Sequence, residues 1–216
     1  MKVLALDGAL GAFSAAIAVD GRLRGSRSEA GNVALERGLT LVGELLDETR
    51  LRPAGLDRIA VGCGPGGFTG LRIAIAYAKS LAQAWVRPLV AIDSFDLLEY
   101  GTDFRSVLTV VVGRPGVISA RYRNGSAVAR ASGWTEEALD AVLAPLSGRK
   151  LTVVGAPKDV LAALAERGIV VRSVDRKVTP AAAAAALLAA SREPAASLHE
   201  VRADYGELPA AKIPKR

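Results

Sequence analysis

Twice in this chain two apolar runs lead through a hairpin signal into a third run, after which helical and strand patterns alternate. The first set is Val3 to Leu6, Phe13 to Val19 and a run from Arg22, with Asp20-Gly21 as its turn. The second is Val107 to Val112, Val117 to Arg123 and Ala127 to Ala131, joined at Pro115-Gly116 and Asn124-Gly125. Asp-Gly and Asn-Gly readily supply the left-handed backbone positions that two-residue hairpins need, so each set opens as an antiparallel meander. Behind the first meander the spacing predicts a helix over Val33 to Thr49, a strand over Ile59 to Cys63 and a helix over Gly70 to Trp85. A strand over Leu89 to Ile92 follows, then a short helix capped by Asp93 or Ser94 and ending near Tyr100. Behind the second come helical patterns at Thr135 to Leu146, Pro157 to Arg167 and Thr179 to Arg192, the last with Thr179-Pro180 as cap and first-turn proline. Strands are expected between them at Leu151 to Val154 and Ile169 to Arg172. The repeated order is that of a duplicated α/β unit with a polar joint at Gly101 to Arg105. We therefore expect lobes at 1–103 and 104–216, each with a mixed sheet and the second reduced.

Half of the 216 residues are hydrophobic but only 5% are aromatic, so the core must be built from Ala, Val, Leu and Ile on closely spaced backbones. The net charge of +6 permits an acidic partner, RNA included, although the arginines are dispersed. Arg121-Tyr122-Arg123 offers a ring between guanidiniums of the kind that stacks on bases; strand alternation instead turns Tyr122 inward and leaves both arginines solvated. A single cysteine, Cys63, excludes an internal disulfide, and a single histidine, His199, leaves zinc sites and Ser-His-Asp chemistry poorly supplied. Cys63 reads as a small buried hydrophobe, since no histidine lies near it to activate the thiol. No metal site and no catalytic residue are expected. Asp7 interrupts the apolar start, and the longest uninterrupted apolar stretch, Pro180 to Ala190, is too short for a membrane span. A cytoplasmic location is expected.

The run Gly62 to Arg72, GCGPGGFTGLR, nearly fits two phosphate-binding templates. Its Gly62, Gly67 and Thr69 match the spacing of a P-loop, but Phe68 stands where the phosphate-holding lysine belongs. Its Gly62, Gly64 and Gly67 match a dinucleotide fingerprint, but the run follows a meander rather than a first strand. The glycines then read as a strand-to-helix turn. Gly66, Gly67 and Thr69 remain candidates for contact with an anion, Thr69 reading first as a helix cap. Arg72 is a poor fit to the helix dipole in a first turn and is the best single candidate for meeting a carboxylate or phosphate. At the end of the first strand, Asp7 with Gly8 reads as a turn-former or as a group orienting a phosphate or metal-bound water.

The helix over Val33 to Thr49 carries Leu35, Leu39, Val42, Leu45 and Leu46 as its apolar face. The helix over Gly70 to Trp85 has Arg72 and Lys79 as its only charges and small residues on most sides, which calls for burial on more than one side.

Three segments carry a closer resemblance: LALDGALGAFSAAIAVDG (Leu4 to Gly21), GCGPGGFTGLRIAIAYAKSLA (Gly62 to Ala82) and PLVAIDSFDLLEY (Pro88 to Tyr100). Over roughly the first hundred residues the chain resembles the bacterial TsaB (YeaZ) family, subunits of the machinery that makes threonylcarbamoyladenosine in tRNA. The resemblance implies an actin-like ATPase (ribonuclease H-like) fold. It implies a non-catalytic scaffold or activating role beside a longer paralog, TsaD, which carries the metal site and the transfer chemistry. A TsaE-like ATPase joins, and tRNA is met through the complex. The two helices of the first half then supply a surface for TsaD or for a second copy, with Leu35, Leu39, Val42, Leu46, Ile73, Ala76, Tyr77 and Ser80 as its candidate residues. No cofactor of the chain's own is implied, ATP or ADP belonging at the interface of the complex. The chain departs from the family at Asp7-Gly8-Ala9, which lacks the usual hydroxyls, at Asn32 to Arg37, at Gly113-Arg114-Pro115 and around Tyr205. The alternative is an ATP-dependent small-molecule kinase or hydrolase of the same fold. Phe68 and the hydroxyl-poor turn weigh against it.

Overall fold

The computed structural model describes residues 1–30, 36–102, 104–144, 150–174 and 180–206, and these form two five-stranded mixed sheets. In the first, β1 (Lys2–Asp7), β2 (Phe13–Val19) and β3 (Arg22–Glu29) make the meander, and β4 (Arg58–Gly62) and β5 (Leu89–Ile92) continue the sheet in parallel from β1. The second repeats this with β6 (Ser106–Arg114), β7 (Val117–Asn124), β8 (Ala127–Trp134), β9 (Lys150–Val154) and β10 (Val170–Val174). The strand orders β3-β2-β1-β4-β5 and β8-β7-β6-β9-β10 are the same arrangement. Asp20 (φ 51°) and Gly21 (φ 71°) take the left-handed turn positions anticipated for them.

On one face of the first sheet lie α1 (Gly38–Thr49) and α2 (Phe68–Trp85). Leu4, Leu6, Phe13 and Ile17 of the sheet meet Leu41, Leu45 and Leu71 of the helices, each at most 4% exposed. Burying each of these leucines contributes roughly 1.5–3 kcal/mol. The inward stripe of α1 is Gly38, Leu41, Val42, Leu45 and Leu46. Leu39, expected on that stripe, is 48% exposed, because the three-four spacing through Gly38, Leu41 and Leu45 turns it outward. The expected start of α1 at Val33 and Leu35 lies outside the described residues. In the second lobe α4 (Thr135–Leu143) and α5 (Lys158–Glu166) pack beneath the sheet, on Leu108, Ile118 and Leu151.

Two further helices tie the lobes together. The first, α3 (Ser94–Glu99), is capped by Asp93, whose carboxylate accepts from the Phe95 N–H at 2.7 Å, and it lies against β6. The second, α6 (Ala181–Leu188), belongs to the second lobe by its place in the sequence but packs on the first sheet. Ala182 to Ala186 are buried there against Val3, Ala5, Ala16, Ala18 and Ala60. Small side chains on both surfaces let helix and sheet approach closely, and the Ser14 hydroxyl accepts the Ala182 N–H at 3.1 Å. Pro180 is the residue before this helix, and Thr179 lies outside the described residues. The chain then continues along the first lobe, where the Ala195 N–H donates to Leu89 O and Val201 is buried.

Candidate functional site

The glycine run leaves β4 at Gly62 and enters α2 at Phe68. Its glycines are the contact points of two backbones. A Cβ on Gly8 would lie 2.4 Å from Gly70 O, one on Gly70 would lie 2.1 Å from Gly8 O, and one on Gly66 would lie 2.2 Å from Ala9 O. No side chain fits at such distances, so the β1–β2 turn and the start of α2 touch only because these positions lack one. The Gly67 N–H donates to Ala9 O at 2.8 Å. Thr69 lies inside α2 and is exposed, while Gly67 precedes the helix without a side-chain cap, so the expected capping by Thr69 is not observed. Thr69 is the second residue of the helix, past the non-helical position from which a hydroxyl can reach the free N–H groups.

Phe68, in the place of a P-loop lysine, is 55% exposed. Its ring lies 5.0 Å from that of Tyr205, and the Arg72 guanidinium sits 5.0 Å from its centroid. A strap holds Tyr205 there: the Asp204 N–H donates to Cys63 O at 2.7 Å, and a Cβ on Gly64 would strike Asp204 O. Cys63 is buried beneath it, and that burial pushes its thiol up to about 12, disfavouring the thiolate.

Asp7 is fully buried at the end of β1. One carboxylate oxygen accepts the Leu10 N–H at 3.2 Å, the turn-forming role open to it from sequence. The other has no partner and lies where a Cβ on Gly62 would come within 2.0 Å. Burial outweighs the backbone hydrogen bonds and raises the carboxyl to about 6. Beside this turn a cavity of roughly 300 Å³ separates the lobes, bounded by Leu10, Leu97, Val110, Val112, Gly155 and Ala181 among others. It lies at the carboxyl ends of the parallel strands, the usual ligand position in such sheets. Among the described residues its lining contains no lysine, arginine or carboxylate, so none of these offers a charge to a nucleotide's phosphates. Among the described residues no three His, Cys, Asp or Glu side chains lie together as a metal site needs.

A family model described as "TsaD: tRNA N6-adenosine threonylcarbamoyltransferase" matches residues 30–201. The tRNA threonylcarbamoyladenosine biosynthesis protein TsaB of Escherichia coli is 29% identical over 71% of this chain and 71% of its own length. The solved structure of YeaZ from Pseudomonas aeruginosa superposes with a TM-score of 0.73 at 26% identity, covering 94% of this chain and 99% of that one. The chain belongs to the TsaD family, in its TsaB (YeaZ) branch. It spans about half the length of several other curated relatives it matches. A ROK hexokinase from Thermus thermophilus, at a TM-score of 0.50 and 16% identity over 87% of this chain, shares the fold. The two lobes are thus the actin-like, ribonuclease H-like pair that the meander–helix–strand order implied.

The structure divides the candidate interface residues on the two helices of the first lobe. Ala76 and Ser80 are exposed, and with Phe68 and Arg72 they form one outward stripe of α2 at intervals of four. Leu39 is exposed on α1, while Leu35 lies outside the described residues. Ile73 and Tyr77 are half-buried, and Tyr77 packs edge-on to Phe13 at 6.1 Å. Val42 and Leu46 belong to the first lobe's own core and present no outward surface, a correction that follows from the inward stripe of α1.

The expectation for the arginines that flank Tyr122 is also corrected. Tyr122 is buried as anticipated, its hydroxyl 3.0 Å from that of Ser106. Arg121, expected to be solvated, is only 7% exposed. Burial would lower the pKa of its guanidinium, but the hydrogen bond to Asp96 and the charge of Glu99 outweigh that and raise it. Arg123 pairs with Glu99 at 3.0 Å. Sequence reasoning missed this ionic layer, although Asp93, Asp96 and Glu99 at intervals of three already place three carboxylates along one side of a helix. Pairing of the Phe68 ring with Tyr205 had no local signal, since well over a hundred positions separate the two.

Proposed function

We propose that this chain is a non-catalytic scaffold and activating subunit in the synthesis of threonylcarbamoyladenosine in tRNA, pairing with a TsaD-type paralog that carries the transfer chemistry. The observation that supports this reading is the outward stripe Phe68, Arg72, Ala76 and Ser80 on α2, beside a glycine turn packed shut by its own backbone. An aromatic ring and a guanidinium are the side chains that anchor interfaces, and small residues two turns further on let a partner helix approach closely. The E. coli relative is named for this pathway. In this reading a TsaE-type ATPase joins the pair and tRNA is met through the complex. ATP or ADP belongs at the boundary with the partner, where Arg72 offers a cation, rather than in the apolar crevice. A second copy meets the same stripe when the partner is absent. A kinase or hydrolase of this fold would need charge in that crevice, and the described residues of its lining supply none.

Deleting the gene and measuring the modified nucleoside in bulk tRNA by mass spectrometry tests the pathway, with a clear fall expected. Unchanged modification removes the proposal. Ala76→Glu in the purified chain tests the surface, since a charge on the stripe is expected to abolish co-elution with the TsaD-type paralog while leaving circular dichroism unaltered.

A further inference from the structure

Between the lobes, carboxylates of α3 face arginines of β7 and β8. Asp93, Asp96 and Glu99 stand at intervals of three around the inter-lobe side of the helix. Arg121 and Arg123 share one face of β7 by strand alternation, and Arg130 on β8 is the direct cross-strand partner of Arg121. Glu99, buried, accepts from the Arg121 Nε at 3.2 Å, the Arg123 Nε at 3.0 Å and the Thr109 hydroxyl at 2.5 Å. Asp96 accepts from Arg121 at 2.8 Å and from Arg192, just beyond α6, at 2.7 Å. Asp93 pairs with Arg130. The Phe95 ring meets two guanidiniums, Arg121 and Arg130, each 5.1 Å from its centroid.

Like charges directly opposite on neighbouring strands repel. Arg121 and Arg130 hold that arrangement only while the acidic helix and its phenyl ring lie over them. Closed, every charge of the layer has a partner; opened, two arginines would face each other across β7 and β8, so the acidic helix favours the closed arrangement. Around the layer the lobes also meet where Gly206 of the strap lies against Ser119, Ser132 and Pro65, and where Gly155 lies against Leu98 at the edge of the apolar cavity.

We propose that α3 and the arginines of β7 and β8 form an ionic clamp that sets the angle between the two lobes, and that neutralising the clamp lets the lobes swing apart while each stays folded. The clamp stands on the geometry of the chain alone and is independent of the proposed function.

The test uses the full chain with one spin label on each outer helix, at Asp47→Cys on α1 and Glu166→Cys on α5, both exposed positions. The native Cys63 thiol is buried and does not compete for label. Electron–electron resonance on this parent is expected to give one narrow distance. Asp96→Asn combined with Glu99→Gln keeps side-chain volume, removes two charges, and is expected to add a second, separate distance with the circular dichroism of the parent retained. An unchanged distribution in a folded double variant overturns the proposal. Should the double variant fail to fold, Asp96→Asn alone decides: it leaves Glu99 on Arg121, and a broadened distribution supports the clamp whereas the parental one overturns it.

Discussion

The two lobes repeat one strand order, yet the layers that cover their inter-lobe-side faces are chemically opposite. On the first sheet the covering helix is α6, and the contact is alanine on alanine: Ala182 to Ala186 against Ala5, Ala16, Ala18 and Ala60. On the second sheet the covering helix is α3, and the contact is Asp96 and Glu99 on Arg121 and Arg123, with Thr109 and Ser119 beneath. Close approach without side-chain volume gives a contact with no orientation of its own, and its strength comes from packing. A buried ionic layer adds little net stability over an apolar one, but once made it tolerates the loss of no single member. The topology therefore dictates where a helix must lie and leaves open whether the join is greasy or charged.

The largest effect that separates the two layers is expected at Glu99→Ala. It removes the acceptor that Arg121, Arg123 and Thr109 share and leaves Arg121 with Asp96, and urea unfolding should report a loss of about 3–5 kcal/mol. A loss below about 1 kcal/mol would mean that the second layer is no more cooperative than a surface pair. Asp7, the buried carboxyl of the first lobe, lacks the partners that Glu99 has. Its folded value is raised to about 6 from 3.8, so its contribution is fully present below about pH 4 and is lost as pH rises through 6. The shift corresponds to up to about 3 kcal/mol. Asp7→Asn should accordingly be more stable than the parent at pH 8, with the difference closing at pH 4, as read from denaturant midpoints at the two pH values. A variant that gains nothing at pH 8 would show that the orphan oxygen is solvated.

Overpacking tests the alanine layer directly. Ala184→Leu should lower unfolding free energy by about 1–3 kcal/mol, because there is no room for three more carbons between α6 and the sheet. The smallest effect contrasts the helix ends. In the second lobe α5 is followed by Gly168 at φ 68°, whereas in the first α2 is followed by Val86 at φ 52°, a β-branched residue in the left-handed region. Val86 is 84% exposed and packs on little, so Val86→Gly should raise the melting temperature, by the equivalent of about 1 kcal/mol.

Local rules account for a large part of this architecture. The hairpins at Asp20-Gly21 and Asn124-Gly125, the strands between them and the close-packing role of the glycine run are legible in the sequence, because turn chemistry and two-residue alternation act within a few positions. The stripe of α1 differs from the expected one at Leu39, since its register depends on where the helix begins. Burial of Arg121 has no signature in its own strand, where alternation argues only that it faces away from Tyr122. What it faces is set by α3, some twenty positions earlier in the chain.

By itself the sequence determined the elements, their order and the absence of a lysine at Phe68, because periodicity and side-chain type are properties of neighbours along the chain. Tertiary structure alone decided that α6 covers the first sheet, that the strap brings Tyr205 to Phe68, and that three carboxylates meet four arginines between the lobes. Those contacts join segments far apart in sequence, and only the path of the folded chain brings their surfaces together.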